Sequence, residues 1–314
     1  MKLILGTMTF GQQVEEAEAK QILQKYIDSG YGEIDTAFVY NEGNSEKILG
    51  KILNGISDYT VATKVNPRIT GKLDYAAVMQ QFETSLLRMN REDIDILYLH
   101  FPDEDKNIES ALMACDELYR KGKIKEIGFS NFSKESVEML TEKCTKNSWK
   151  CPTVYQGLYN PLSRNVEELF EVLRKYEYRF YAYNPLAGGI LSGKYNRYEE
   201  SPENGRFVCR PNYKNRYWKE SFFDAMDLIK KSCEEYNIEM YSAAYRWLAY
   251  HSRLSSSDGD GIIIGASNIK QLELNIEAIG QGRLPEEIAG AFDRAWEICK
   301  KDAPQYYRNV NFKG

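Results

Sequence analysis

The sequence predicts a closed barrel of eight parallel strands, each followed by helix, the (β/α)8 or TIM-barrel class. Three observations carry that prediction. Short apolar runs alternate with helix-period segments about eight times along the 314 residues, the pattern of a parallel sheet covered on both faces. The length suits such a barrel, typically about 250 residues, with a modest surplus. Finally, Asp35, Tyr40, Lys64 and His100 come where three successive apolar runs stop, "YGEIDTAFVY", "DYTVATK" and "DIDILYLH". In a parallel barrel those four side chains emerge on one rim.

The first strand falls in "LILGTMTFG" and the first helix in "VEEAEAKQILQKYIDSG", whose closing Gly30 fits a helix C-terminus. "GEIDTA" is the second strand. In "SEKILGKIL", Ser45 is placed to cap a helix that carries Ile48, Leu49, Ile52 and Leu53 as a 3.6-period stripe. "YTVATK" is the third strand, backed by a helix with Val78, Phe82, Leu86 and Met89 on one side. "IDILYLH" is the fourth, followed by "IESALMACDELYRKGK", where Ile108, Leu112, Cys115 and Leu118 recur at helical spacing. "KEIGFSN" and "PTVYQGLYN" give strands five and six, with helices "SKESVEMLTEKC" and "VEELFEVLRKY" after them. "RFYAYNPLAGG" is the seventh, then a polar stretch from Tyr195 to Lys219 reads as a long loop ahead of helices "KESFFDAMDLIKKSCEEYN" and "MYSAAYRWLAYHS". "GIIIGAS" is the eighth and runs into "IKQLELNIEAIG"; the chain after Cys299 reads as a tail over the barrel mouth. No low-complexity linker interrupts this order, so one domain, residues 1–314, is expected.

A doubly wound nucleotide-binding fold is the competing architecture, but it wants a GxGxxG turn after the first strand, and the glycines of "GTMTFGQQ" do not match. Hydrophobic residues are 43% and charged residues 28%, enough for a large core under a polar exterior. The net charge of −5 argues against a nucleic-acid partner, which wants a basic face. Gly6 and Thr7 break the N-terminal apolar stretch before a signal-peptide core forms, and no run reaches the ~18 apolar residues of a membrane span. A cytoplasmic protein is expected. The six cysteines (Cys115, Cys144, Cys151, Cys209, Cys233 and Cys299) show no CxxC pair and no metal spacing with histidine, and read as reduced structural thiols.

Taken singly, each rim residue has an ordinary reading: a capping Asp35, one of 23 tyrosines, a surface lysine, a structural histidine. Together they make an acid–base set. A phenol with a pKa near 10 is a poor donor at neutral pH, and an adjacent ammonium favours its ionised form. A carboxylate such as Asp35 keeps that lysine charged and fixed, while His100 can hydrogen-bond a carbonyl oxygen as negative charge develops there. No nucleophilic serine or cysteine stands beside a base. Protonating an alkoxide without a metal calls for a hydride donor from elsewhere. His251, on a helical run with Trp247 and Tyr250, reads as structural.

The chain resembles the aldo-keto reductases over essentially its whole length. "DTAFVY", "ATK", "LYLHFPD", "GFSNF", "YQGLYN", "YAYNPLAGGILSGKY" and "GIIIGAS" occur in that family's order. "GTMTFG", "GRF" and "YKNRYWKE" resemble its aflatoxin-aldehyde and succinic-semialdehyde reductase branch in particular. The resemblance implies a catalytic tetrad of Asp35, Tyr40, Lys64 and His100, with Tyr40 as general acid. It implies NADPH stretched across the barrel mouth, with Ser130, Asn131 and Gln156 on the carboxamide and Tyr183 stacked on the nicotinamide. Asn184, Pro185, Leu186, Ala187, Gly188, Gly189 and Lys194 would wrap the pyrophosphate. Gly265, Ala266, Ser267, Asn268, Gln271 and Asn275 match the adenosine-phosphate site, on a helix start suited to anions. Gly265 and Gln271 stand where many relatives carry a lysine and an arginine, leaving Lys270 and Arg206 to supply positive charge and NADH as the alternative cofactor.

The same resemblance brings Arg206 to the cofactor, and Tyr213, Arg216 and the tail's Arg308 to the substrate. Tyr40 and His100 would also touch the substrate, a small carbonyl compound with an acidic or strongly polar remote group. A homodimer is expected by the same analogy. The second functional reading is a cofactor-binding sensor module of the channel-β-subunit type, with slow turnover; a metal-dependent lyase is third, lacking ligands.

Overall fold

The computed structural model describes residues 1–103, 108–200, 202 and 206–308. Eight parallel strands close in sequence order: β1 (Lys2–Gly6), β2 (Glu33–Asp35), β3 (Thr60–Val65), β4 (Ile94–Leu99), β5 (Ile124–Ser130), β6 (Val154–Leu158), β7 (Arg179–Tyr183) and β8 (Gly261–Gly265). β8 pairs back onto β1 over five positions, Lys2 with Gly261 through Gly6 with Gly265. Helices α1 (Glu16–Asp28), α2 (Asn44–Ile52), α3 (Tyr75–Met89), α4 (Ile108–Arg120), α5 (Lys134–Lys146) and α6 (Phe170–Lys175) follow the first six strands. After β7 come α7 (Arg206–Cys209), α8 (Pro211–Tyr217), α9 (Glu220–Glu235) and α10 (Met240–Tyr250). α11 (Ile269–Gly280) and α12 (Glu286–Cys299) follow β8.

Strand periodicity divides the core into two layers. Ile4, Ala62, Ile96, Tyr98, Val154, Tyr181 and Ile263 fill the barrel interior, while Leu3, Leu5, Val61, Leu97, Leu99, Ile262 and Ile264 point outward under the helices. Each fully buried aliphatic side chain of this kind contributes about 1.5–3 kcal/mol. The period of two also builds the rim. Asp35, Lys64, His100, Ser130, Gln156, Tyr183 and Gly265 share the inward parity and sit above that inner layer, at the C-terminal strand ends. Gly128 lets Tyr98 into the interior, since a Cβ there would stand 2.3 Å from the Tyr98 ring.

Two expectations need correction, and one helix is new. Ser45 does not cap α2: it lies inside the helix, and its hydroxyl bonds Thr7 and Thr36, while left-handed Gly43 precedes the helix. The stretch from Tyr195 to Lys219 is partly helical, carrying α7 and α8. A helix unread in the sequence, α12, packs along α9 and buries Ile288, Phe292, Ala295 and Cys299. Leu86 packs against the core beside Val78, Phe82 and Met89, as expected, though half-buried. The side chain of Cys209 and the tail past Arg308 lie outside the described residues; the other five cysteines are free, and burial pushes Cys144, Cys233 and Cys299 up to about 12. Among the described residues no helix is long and apolar enough to cross a membrane, and no group of acidic, histidine or cysteine side chains has a metal-holding arrangement.

Candidate active site

Tyr40 opens a short 3-10 turn, Tyr40–Gly43, in which Asn41, Glu42 and Gly43 all take left-handed backbone (φ 50°, 58° and 86°). Two non-glycine residues in that region store strain, so the turn must be held from outside. Asn41 Nδ2 donates to the carbonyls of Met8 and Phe10. From beneath, Arg88 donates to Phe38 O (3.0 Å) and to buried Glu46 (2.9 Å), with its guanidinium 4.1 Å from the Phe38 ring. Glu46 also accepts from Thr63 and Ser85, so both of its carboxylate oxygens are engaged.

Lys64 is completely buried and donates to Asp35 Oδ1 and to Thr36 O, both at 2.6 Å. Among the described residues its third proton has no hydrogen-bond acceptor, and its Nζ lies 5.2 Å from the Tyr40 ring centre. Gln156 Nε2 completes Asp35 by donating to Oδ2 (2.8 Å). The His100 ring meets Tyr40 edge-on at 6.2 Å and stacks on Phe101 at 4.4 Å. Burial, then Lys64, Arg308 and Arg68, hold the His100 imidazole well below its ordinary pKa, so it is neutral. The Tyr40 phenol runs against expectation: burial raises it well above the usual value, Asp35 adds to this, and Arg206 is the cation that opposes it. Burial likewise lowers Lys64 itself, with Asp35 pulling the other way.

Two cavities run from these residues. One of about 350 Å³ is lined by Asp35, Tyr40, His100, Ser130, Asn131, Gln156, Tyr183, Tyr213 and Arg216, among others. The second, about 600 Å³, is lined by Leu186, Gly188, Gly189, Lys194, Ala266, Ser267, Gln271 and Asn275. Asn184, Pro185, Arg206, Gly265 and Thr9 line both, making one long groove. The remaining expected residues lie aside. Ala187 is buried, Asn268 caps α11, Lys270 is exposed, Lys64 sits beneath the floor, and Arg308 stacks on Phe101 (3.8 Å). The Arg308 amide donates to Asn131 O, which ties the tail to the rim. Burial, then Arg68 and Arg216, push the Arg308 guanidinium down to about 10, so it stays charged at neutral pH.

Several groove residues were not read from the sequence: Met8, Phe101, Arg210, Asn212 and Ile263 in the first cavity, Gln13, Tyr195, Glu239, Tyr241 and Tyr245 in the second. Phe101 follows His100 directly and was the one within reach. Arg210 spans the groove, donating to Gln12 Oε1 (2.7 Å) and Asn41 Oδ1 (2.6 Å). His251 is structural as expected, accepting from Leu284 N–H at Nε2.

The groove fits a dinucleotide on its own evidence. Asn184 Nδ2 is buried without a partner among the described residues although the residue lines both cavities, an unsatisfied donor that a polar ligand would satisfy. Gly188 and Gly189 line the groove with positive φ, and a Cβ at Gly188 would strike Tyr213 and Tyr217, so that position has no room for a side chain. Asn131 Nδ2 is already given to His100 O and Ser130 Oγ, and its Oδ1 accepts from Tyr183, which fixes the Tyr183 ring.

Comparison with known proteins agrees with this architecture. The model of the Aldo/keto reductase family matches residues 2–297. Aflatoxin B1 aldehyde reductase member 2 of Mus musculus is 41% identical over 97% of this chain and 87% of its own length. Aflatoxin B1 aldehyde reductase member 4 of Homo sapiens is 40% identical over 97% of this chain and 96% of its own. Oxidoreductase sirO of Leptosphaeria maculans is 32% identical over 97% and 96%. A closed eight-strand barrel, a family match across almost the whole sequence and relatives of about two-fifths identity lead to one conclusion: the chain belongs to the aldo/keto reductase family and is an NAD(P)H-dependent oxidoreductase.

Proposed function

We propose that the chain reduces aldehydes, and some ketones, to alcohols with NADPH, using Tyr40 as general acid. The observation that carries this is the convergence of Tyr40, His100 and the buried Lys64–Asp35 pair on the first cavity, continuous with the second. A bound nicotinamide would supply the hydride. His100 donates a hydrogen bond that orients the carbonyl and stabilises charge on its oxygen. Tyr40 then gives that oxygen its proton. Lys64, held by Asp35 and Thr36 O with its Nζ 5.2 Å from the Tyr40 ring centre, supports the phenolate left behind. Tyr183, Asn184 and the glycine turn position the cofactor, while Lys194 and Arg206 are the groove cations suited to the extra phosphate of NADPH.

The test is Tyr40→Phe. It should bind NADPH as the parent does and lose most turnover; substantial retained activity sinks the assignment of Tyr40. Parallel assays with NADPH and NADH decide the cofactor preference, and a parent that binds NADPH but hardly turns over any aldehyde returns the sensor reading. An acidic aldehyde is the favoured substrate, because Arg216 lines the cavity while Arg308 and Arg68 flank Phe101 without an ion pair among the described residues. A guanidinium holds a carboxylate in a fixed geometry. We also propose one domain over residues 1–314, a cytoplasmic setting and a homodimer, the last checked by sedimentation.

A further inference from the structure

His100 is held on two sides. The Phe101 ring lies parallel to it, 11° apart in plane, and an in-plane contact comes from Asn66, whose side-chain nitrogen is 3.2 Å from His100 Nδ1. Asn66 follows the last residue of β3 and is 1% exposed. Its position is fixed by Gln81 on α3, which accepts from the Asn66 N–H (2.8 Å) and donates to the Asn66 carbonyl (3.1 Å). The orientation of its amide is fixed as well. The backbone N–H of Arg68 points at one end of it from 3.0 Å. A backbone N–H can only donate, so that end is Oδ1 and the opposite end is NH2. An NH2 group can also only donate, so Nδ1 of His100 must accept. A neutral imidazole that accepts at Nδ1 carries its proton on Nε2.

We infer that Asn66 is a positioning residue that fixes His100 as the Nε2–H tautomer, and so makes it a hydrogen-bond donor toward the groove. The inference rests on the reading of His100 as the carbonyl's donor for its consequence, though not for the tautomer itself. Among the described residues no other group hydrogen-bonds the His100 ring to select between the two neutral forms, and the wrong one would present a lone pair to the carbonyl oxygen. The other groups facing His100 are Lys64 from β3, Arg68 from the following turn, Arg308 from the tail and the edge of Tyr40. All three cations disfavour the imidazolium, so the neutral tautomer is the form that matters.

The test is nitrogen-15 NMR of the full chain, which has only two histidines, with His100→Gln used to assign them. His100 should show a protonated Nε2 and a bare Nδ1; a protonated Nδ1 in the parent overturns the inference. The companion variant is N66D. One carboxylate oxygen keeps the Arg68 N–H, and the other demands a proton on Nδ1, leaving Nε2 bare whenever the ring is neutral. Turnover should then fall as pH rises through the histidine range, where the imidazolium gives way to the wrong tautomer, by about 10²-fold, the usual cost of one lost oxyanion donor. The parent, with the same Lys64, should show no such limb. An N66D protein that binds NADPH normally, and keeps both parental turnover and its pH profile, overturns the inference. If N66D does not fold, the parental spectrum still decides. If the tautomer is as inferred yet His100→Gln turns over at the parental rate, the carbonyl role fails and the tautomer assignment stands.

Discussion

Replacing Arg88 by methionine tests what holds the Tyr40 turn. The substitution keeps the length of the stem and deletes the charge. Glu46 is completely buried and Arg88 is 19% exposed, with 2.9 Å between them. Deleting one partner of a buried pair costs about 3–5 kcal/mol, because the other charge is left uncompensated. Glu46 keeps the Thr63 and Ser85 hydroxyls, which argues for the lower end; the lost bond to Phe38 O and the lost stack on Phe38 argue back upward. We therefore expect a loss of about 3–4 kcal/mol, a fall in melting temperature of roughly 5–6 °C for a chain of this length. Turnover should fall further than stability explains, because Arg88 holds the Phe38 carbonyl just before Tyr40 and its guanidinium packs against Gly43 at the end of the strained turn. Thermal melts followed by circular dichroism give the first number and initial rates the second. Adding Glu46→Gln to Arg88→Met removes the stranded charge and should recover part of the loss, a coupling the double-mutant cycle reads directly. A single variant melting within about 2 °C of the parent, or a double variant with no recovery, refutes the reasoning.

Three further outcomes follow from other features. Arg308→Ala should raise KM for an acidic aldehyde by roughly 10–100-fold, the worth of one charged hydrogen bond, and far less for a neutral aromatic one; equal effects would end the charge-recognition idea. His100 is kept neutral in the fold, whereas the unfolded chain protonates its imidazole below about pH 6.5. The unfolded state thus binds a proton that the native state refuses, so stability is whole above that pH and declines as pH falls through it. His100→Asn should flatten the acid-side decline in melting temperature without abolishing it, because burial also lowers His251. Gly128→Ala should cost about 1–3 kcal/mol by overpacking, read as a urea midpoint, since the new methyl meets Tyr98 at 2.3 Å.

The barrel was legible because each strand is a compact apolar run ending at a polar residue, and the period of two then puts Asp35, Lys64 and His100 on the inside. The helix α12 escaped because "EEIAGAFDRAWEIC" is rich in alanine and charge, so its buried stripe of Ile288, Phe292 and Cys299 is thin. The helical turns between Tyr195 and Lys219 escaped because polar sequence next to proline and glycine looks like loop. The direction of the Tyr40 shift was misjudged for a physical reason. Sequence puts an ammonium near the phenol, but does not show that burial outweighs it and that the Asp35 charge adds to the rise. Asn66 was invisible: an amide before a proline reads as a turn, and only its bonds to Gln81, Arg68 and His100 distinguish it.

The closure of the barrel has a consequence for how the chain is made. β1 shares two register positions with β2 but five with β8, and its Lys2 waits for Gly261, 259 positions later (261 − 2). At a synthesis rate of about 5–20 residues per second, that partner emerges roughly 13–50 seconds after β1. For that interval the first strand of the finished protein is an open edge made of "KLILG", the kind of edge that pairs with neighbouring chains. Ribosome-bound chains should therefore be sticky at their N-terminus until the last strand arrives, and slow decoding near residue 261 would prolong the exposure without changing a single contact of the folded enzyme.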